Sequence, residues 1–123
     1  AEKTDYGRRL LGYWFGTHQQ AGIEGDVQTI SRHNSDGTFY IRFRLIQNGK
    51  PIHEQNESGT WELKDKIVIM VTTHINGKHL GKDKYITDRY YIHKLTDSEQ
   101  YCEHVETGTK LKYVRVGNQF NFP

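Results

Sequence analysis

Residues 38–59 read TFYIRFRLIQNGKPIHEQNESG, and this stretch decides the fold. Phe39, Ile41, Phe43 and Leu45 alternate with Tyr40, Arg42 and Arg44, a period of two that lays one apolar edge along an extended chain. Aromatic and β-branched side chains crowd the run, as a pleated, half-buried surface prefers. The run stops at Asn48-Gly49, a pair that tolerates the positive φ angles of a type I′ turn, and extended chain resumes at Lys50. This is a β-hairpin. A turn centred on Asn48-Gly49 sets Leu45 opposite Ile52 and Phe43 opposite Glu54, with Arg42 and Arg44 facing Gln55 and His53. Phe39, Ile41, Phe43, Leu45 and Ile52 are then the expected core face.

The same grammar repeats in both directions. Strands are expected over 13–18, 25–33, 38–47, 50–63, 67–74, 84–95, 100–106 and 110–116. Between them stand short connections: Asn34 to Gly37, Lys64 to Lys66, Thr96 to Glu99 and Thr107 to Thr109. One segment reads as helix, capped by Thr4-Asp5, running through Leu11 and stopped by Gly12. Short links force neighbouring strands to be antiparallel, and about eight in succession make a meander that removes its edges by closing on itself. The expectation is a single domain over 1–123 of the all-β class: an eight-stranded antiparallel up-and-down barrel with a short N-terminal helix.

Composition narrows what such a barrel does. The 123 residues are only 34% hydrophobic, but eight Tyr, five Phe and two Trp supply large buried areas with polar handles. A thin core of this kind implies an inward face that is partly polar. The net charge is +2, with 17 basic residues interspersed among 15 acidic ones. A nucleic-acid binder gathers its positive charge into a stripe, and the cluster from Lys78 to Lys84 is too short to be one, so it reads as a solvated loop. No apolar run approaches the ~18 residues of a membrane span. Cys102 is the lone cysteine, so an intrachain disulfide is excluded. A chain starting at Ala1 without Met is what removal of a signal peptide leaves, which makes a periplasmic or secreted setting the expectation.

Three short motifs carry a resemblance. Gly12-Tyr13-Trp14 opens the first strand just after the helix, Thr87-Asp88 precedes Tyr90 and Tyr91 on the sixth, and Arg115 lies near the end of the last. In that order they resemble the lipocalin signatures within the calycin superfamily, and the chain looks like the small bacterial lipocalin-like domains. The resemblance implies that Trp14 packs across the barrel floor against Arg115, with Gly12 as its structural companion. It does not carry a ligand with it.

Hairpin arithmetic suggests which residues look inward. A turn centred on Asp97-Ser98 sets Leu95 opposite Gln100, His93 opposite Cys102 and Tyr91 opposite His104. A turn centred on Thr107-Gly108 sets Cys102 opposite Tyr113, His104 opposite Leu111 and Glu103 opposite Lys112. The interior would then carry Arg89, Tyr91, His93, Cys102, His104, Leu111, Tyr113 and Arg115, facing Phe43 and Leu45. Such a cavity suits a small amphipathic acid, its body on Phe43 and Leu45 and its anion on Arg89, Tyr91, His93, Tyr113 and Arg115. The inner carboxylate expected to compete for those cations is Glu54.

Binding, without enzyme activity and without cofactor or metal, is therefore the expected function. His93, Cys102 and His104 share the expected inner face, but C-x-x-C and H-x-x-x-H spacings are missing, and a Cys-His nucleophile would lack an orienting group. The competing reading is an exported protein-interaction or inhibitor module with a filled barrel. Its contact surface would be the loop from Asn76 to Lys84 and the tail from Asn118 to Pro123. Phe120 and Phe122 of that tail either seal the barrel end, the preferred reading, or meet a partner.

Overall fold

The computed structural model describes residues 2–123, with side chains from Tyr6 onward. Helix α1 (Glu2–Leu10) leads into β1 (Gly12–His18), β2 (Asp26–His33), β3 (Thr38–Gln47), β4 (Lys50–Lys64) and β5 (Ile67–Ile75). A two-residue arm, β6 (Lys78–His79), and a 3-10 turn (Lys82–Lys84) precede β7 (Ile86–Leu95), β8 (Glu99–His104) and β9 (Lys110–Val116). Each long strand pairs antiparallel with its neighbours along the chain, and β1 also pairs with β9. Eight strands thus close into an up-and-down barrel behind one short helix. Helix α1 starts at Glu2, so Thr4-Asp5 lies inside it rather than capping it. No helix among the described residues is long and apolar enough to cross a membrane.

The turns obey their residues. Asn48 and Gly49 both take positive φ, at 52° and 74°, and hold the β3–β4 hairpin. Asn76-Gly77 repeats that chemistry, at 51° and 77°, so the loop expected to run from Asn76 to Lys84 instead folds back as β6 beside β5.

Bulges correct the expected registers. Gln47 faces Lys50 as the turn requires, but the register shifts at Leu45/Ile46, and Leu45 then faces His53. Ile52 is the extra residue and leaves the core, 53% exposed. Glu54 accordingly lies on the outer face, accepting a hydrogen bond from Arg42 at 3.0 Å. A second bulge falls between Ile92 and Lys94: Leu95 faces Gln100 as expected, yet Ile92, not His93, faces Cys102. One inserted residue flips everything beyond it. Arg89, Tyr91 and His93 therefore point outward, while Tyr90 and Ile92 point in. The β8–β9 register differs by two residues, Glu103 facing Lys110 rather than Lys112, and an even slip leaves Cys102, His104, Leu111 and Tyr113 inside.

The barrel floor is built from the motif residues. Trp14 is fully buried among Leu10, Phe39, Val68, Ile92 and Leu95. Arg115 lies over its indole at 4.4 Å. A helix end leaves its last carbonyls without intrahelical partners. Here the indole Nε1–H donates to Leu10 O at 2.9 Å, while the Arg115 guanidinium donates to Leu11 O at 2.6 Å and to Arg9 O. The guanidinium also reaches the β7–β8 turn, its Nε donating to Asp97 O at 2.5 Å. Gly12 has φ of 98°, and a Cβ there would stand 2.9 Å from Arg115 Nη1, so both backbone and space demand glycine.

The tail does not close the barrel. Phe120 stacks on outward-facing Phe15 at 5.0 Å. Phe122 sits against Arg42 and Arg44, at 4.8 and 4.9 Å. Arg44 donates to Pro123 O at 2.7 Å. The tail is thus laid on the outer wall of β1–β3, and the end opposite α1 stays open.

Trp14→Ala removes the floor's largest side chain and should destabilise the fold by about 3–5 kcal/mol. Denaturant melts read this directly, and a variant that melts like the parent would contradict the account of the floor.

Candidate functional site

The barrel interior is hollow at its centre. Strand β2 turns Thr29, Ser31 and His33 inward, and facing them across the barrel are Gln100 and Cys102 of β8 and Tyr113 of β9. Ile41, Val68 and Met70 complete an apolar side. They enclose a chamber of about 40 Å³, room for a few small atoms where one water needs ~10–15 Å³. Gly16 makes the Tyr113 position possible, because a Cβ there would meet the Tyr113 ring at 2.6 Å.

Two wider recesses flank the open end. One, of about 260 Å³, lies between His18 and the Asp88–His104 side of the mouth; the other, of about 350 Å³, runs from Val27 and Leu45 to His53 and Glu57. Phe43 borders both recesses and the chamber, and Tyr90 and Tyr113 border the chamber and the first recess. These rings are the neck through which anything reaching the chamber from the mouth must pass.

The chamber carries polar groups and no charge. Burial pushes His33 down to about 4, so its imidazole is neutral at physiological pH. Burial pushes the Cys102 thiol up to about 12, and raises the Tyr90 and Tyr113 phenols as well. No Lys, Arg, Asp or Glu lines the chamber. Thr29 Oγ1 and His33 Nδ1 are buried without a hydrogen-bond partner. The mouth is acidic and imidazole-rich instead. Burial raises the Glu57 carboxyl there, opposed by a hydrogen bond from Gln55.

Of the residues expected to bind, Phe43 and Tyr113 border the chamber and Leu45 lines the mouth. Arg115 is inward but belongs to the floor, its donors taken by backbone carbonyls. Arg89, Tyr91 and His93 are corrected to the outer surface by the bulge in β7. There Arg89 pairs with Glu106 at 3.0 Å, His93 meets Glu103 at 3.0 Å, and Tyr91 lies edge-on to His93. The cationic wall does not form. Cys102 and His104 share the inner face, where burial raises the thiol, while His93, the expected partner of Cys102 as a nucleophile pair, points outward.

Thr29, Ser31, His33, Asp88 and Tyr90 escape a reading by hydrophobicity. On β2 the apolar Ile30 faces outward and is nevertheless buried, beside Phe15 and under the tail's side of the wall, while polar Thr29 and Ser31 face in. The usable signal is Tyr90, separated by two from Ile92 on a strand whose bulge sequence alone does not locate.

Neither the family models nor the curated proteins compared with this chain give a match.

His33 makes stability pH-dependent. Its folded value lies below the unfolded value near 6.5, so the unfolded chain binds the extra proton first. Stability is whole above pH ~6.5 and falls as pH drops toward 4. The shift corresponds to a loss of about 3 kcal/mol once the pH is well below 4. Urea melts between pH 7 and 4 should show this slope, and His33→Phe should flatten it; an equal slope in the variant would remove His33 as its source.

Proposed function

We propose that the protein binds a small amphipathic molecule that enters by the open end and sets an uncharged polar group into the central chamber. The observation that carries this is a hollow with no charged lining, walled in part by Thr29 and His33, whose Oγ1 and Nδ1 are buried without a hydrogen-bond partner. Leaving a buried hydroxyl unpaired costs about 1–3 kcal/mol, and a ligand hydroxyl, amide or amine placed there offsets that cost. The ligand's apolar body would lie against Phe43, Ile41 and Met70. An anionic head group finds no cation inside, because Arg89 pairs with Glu106 on the outer face and Arg115 donates to backbone carbonyls of the floor.

Trp14 under Arg115, the closed up-and-down barrel and its single open end also support placing the chain among lipocalin-like proteins. The barrel is a binder rather than an enzyme on this reading: burial raises the Cys102 thiol, and His93 points to the outer face toward Glu103. A hollow interior, with Phe120 and Phe122 committed to the protein's own wall, weighs against the filled interaction module.

The test is titration with N-phenyl-1-naphthylamine, a neutral fluorescent amphiphile, beside a fluorescent fatty-acid analogue. Saturable binding of the neutral probe, tighter than that of the acid, is expected. Thr29→Val keeps the side-chain shape and removes the orphan oxygen, so it should raise ligand-free stability by about 1 kcal/mol. Thr29→Phe fills the chamber and should abolish binding while the melt stays cooperative. Binding of neither probe by the folded protein, or binding indifferent to Thr29→Phe, would overturn the proposal.

A further inference from the structure

At the rim of the mouth, three potential ligand atoms converge. Asp88 projects inward from β7, His104 ends β8, and Glu106 lies in the turn that follows. One nitrogen or oxygen from each falls within 4.8 Å of the others. His104 Nε2 stands 2.8 Å from Asp88 Oδ1 and 3.7 Å from Glu106 Oε1.

The surroundings hold each group in place. Arg89 grips Glu106 twice, its backbone N–H donating to Oε1 and its Nε to Oε2, both at 3.0 Å. The His104 ring lies edge-on to Tyr90, with centroids 5.1 Å apart. Its Nδ1 meets Thr107 Oγ1 at 2.8 Å. That hydroxyl gives its own hydrogen to Thr109 Oγ1 at 2.9 Å and accepts the Thr109 N–H at 3.3 Å. With one ring nitrogen held on that hydroxyl, the other, Nε2, is directed at two carboxylate oxygens. Two carboxylate oxygens beside one ring nitrogen concentrate negative charge at the rim, which either a proton on Nε2 or a metal ion between them offsets. The Arg89 guanidinium does not serve, because it lies beside the other oxygen of Glu106.

We propose that Asp88, His104 and Glu106 form a divalent metal site for a first-row ion of the Zn²⁺ class. One imidazole nitrogen and two carboxylate oxygens make a borderline donor set, and the Thr107 hydroxyl at Nδ1 orients the imidazole as the hydrogen-bonded partners of metal-bound histidines do. Ligand atoms around a tetrahedral Zn²⁺ with bonds near 2.1 Å stand roughly 3.4 Å apart. The 2.8 and 3.7 Å separations straddle that value. The fourth position opens on the 260 Å³ recess, which Asp88 and His104 both line. The site stands independently of the ligand reading, since none of its three groups borders the central chamber.

The test uses the metal-stripped folded protein, titrated with Zn²⁺ by calorimetry and with Co²⁺ by visible absorption. One equivalent should bind, with the intense d–d bands of a four-coordinate Co²⁺ centre and a rise in melting temperature. His104→Ala should abolish this, and the near-isosteric Asp88→Asn and Glu106→Gln should each weaken it at least tenfold. Thr107→Val, which removes the hydroxyl that orients the imidazole without removing a ligand, should weaken it ~10–100-fold. His79→Ala removes the outer-surface imidazole that pairs with His74 and Tyr85, and should change nothing. No stoichiometric binding means that a proton alone holds the trio together, and overturns the proposal. Binding that survives His104→Ala and Asp88→Asn, or that is lost in His79→Ala, overturns it equally.

Discussion

The structure depends on one clasp: the Arg115 guanidinium spread over the Trp14 indole, with both side chains donating to the free carbonyls of α1. A meander closes into a barrel only if its first strand meets its last, and here Trp14 and Arg115 are direct partners across that seam. The clasp performs three tasks together. It buries the largest side chain of the floor, satisfies the helix end at Arg9, Leu11 and Leu10, and ties in the β7–β8 turn through Asp97. A guanidinium desolvated against an aromatic face needs acceptors in its own plane, and helix carbonyls supply them. That use explains why Arg115 is unavailable to a ligand.

Closing the floor leaves the asymmetry on which function rests. Apolar packing concentrates around Trp14, whereas the inner face above and beside it also carries small or polar residues: Gly16, Thr29, Ser31 and Gln100. An eight-stranded barrel is just wide enough to be filled by its side chains, so small inner residues leave a hollow where larger ones would close it. The hollow is uncharged because burial keeps His33 neutral and the Cys102 thiol protonated, while the charged groups gather at the rim. Interior and mouth thus offer different chemistry, neutral hydrogen bonding within and imidazole with carboxylate without.

Much of the fold was legible because turn chemistry is local. Asn48-Gly49, Asn34 to Gly37 and the spacing of the runs place the strands to within a few residues, and Gly12-x-Trp14 with Arg115 marks the seam. The site was less legible because inward direction accumulates along a strand, and a single bulge reverses it. Leu95 opposite Gln100 was read correctly, yet the extra residue at His93 exchanged Tyr91 for Tyr90 and removed Arg89 from the interior. Ile52 and Glu54 were misplaced by the same cause. The β8–β9 turn shows the converse, a slip of two residues that altered partners and preserved the face of Cys102, His104 and Tyr113. On β2, hydrophobicity itself misleads, since outward Ile30 is buried on the barrel's outer wall while the polar Thr29 and Ser31 line the chamber.

Met70 is the chain's sole methionine and lines the central chamber, so a protein labelled with ¹³C-methyl methionine gives one reporter of what enters. The direct measurement is the nuclear Overhauser effect between that methyl and bound N-phenyl-1-naphthylamine. The account predicts intermolecular cross-peaks to the Met70 methyl, with its resonance shifted on saturation. A bound probe that leaves the Met70 methyl unshifted and without cross-peaks would place binding on the outer wall and contradict a chamber reached through the open end.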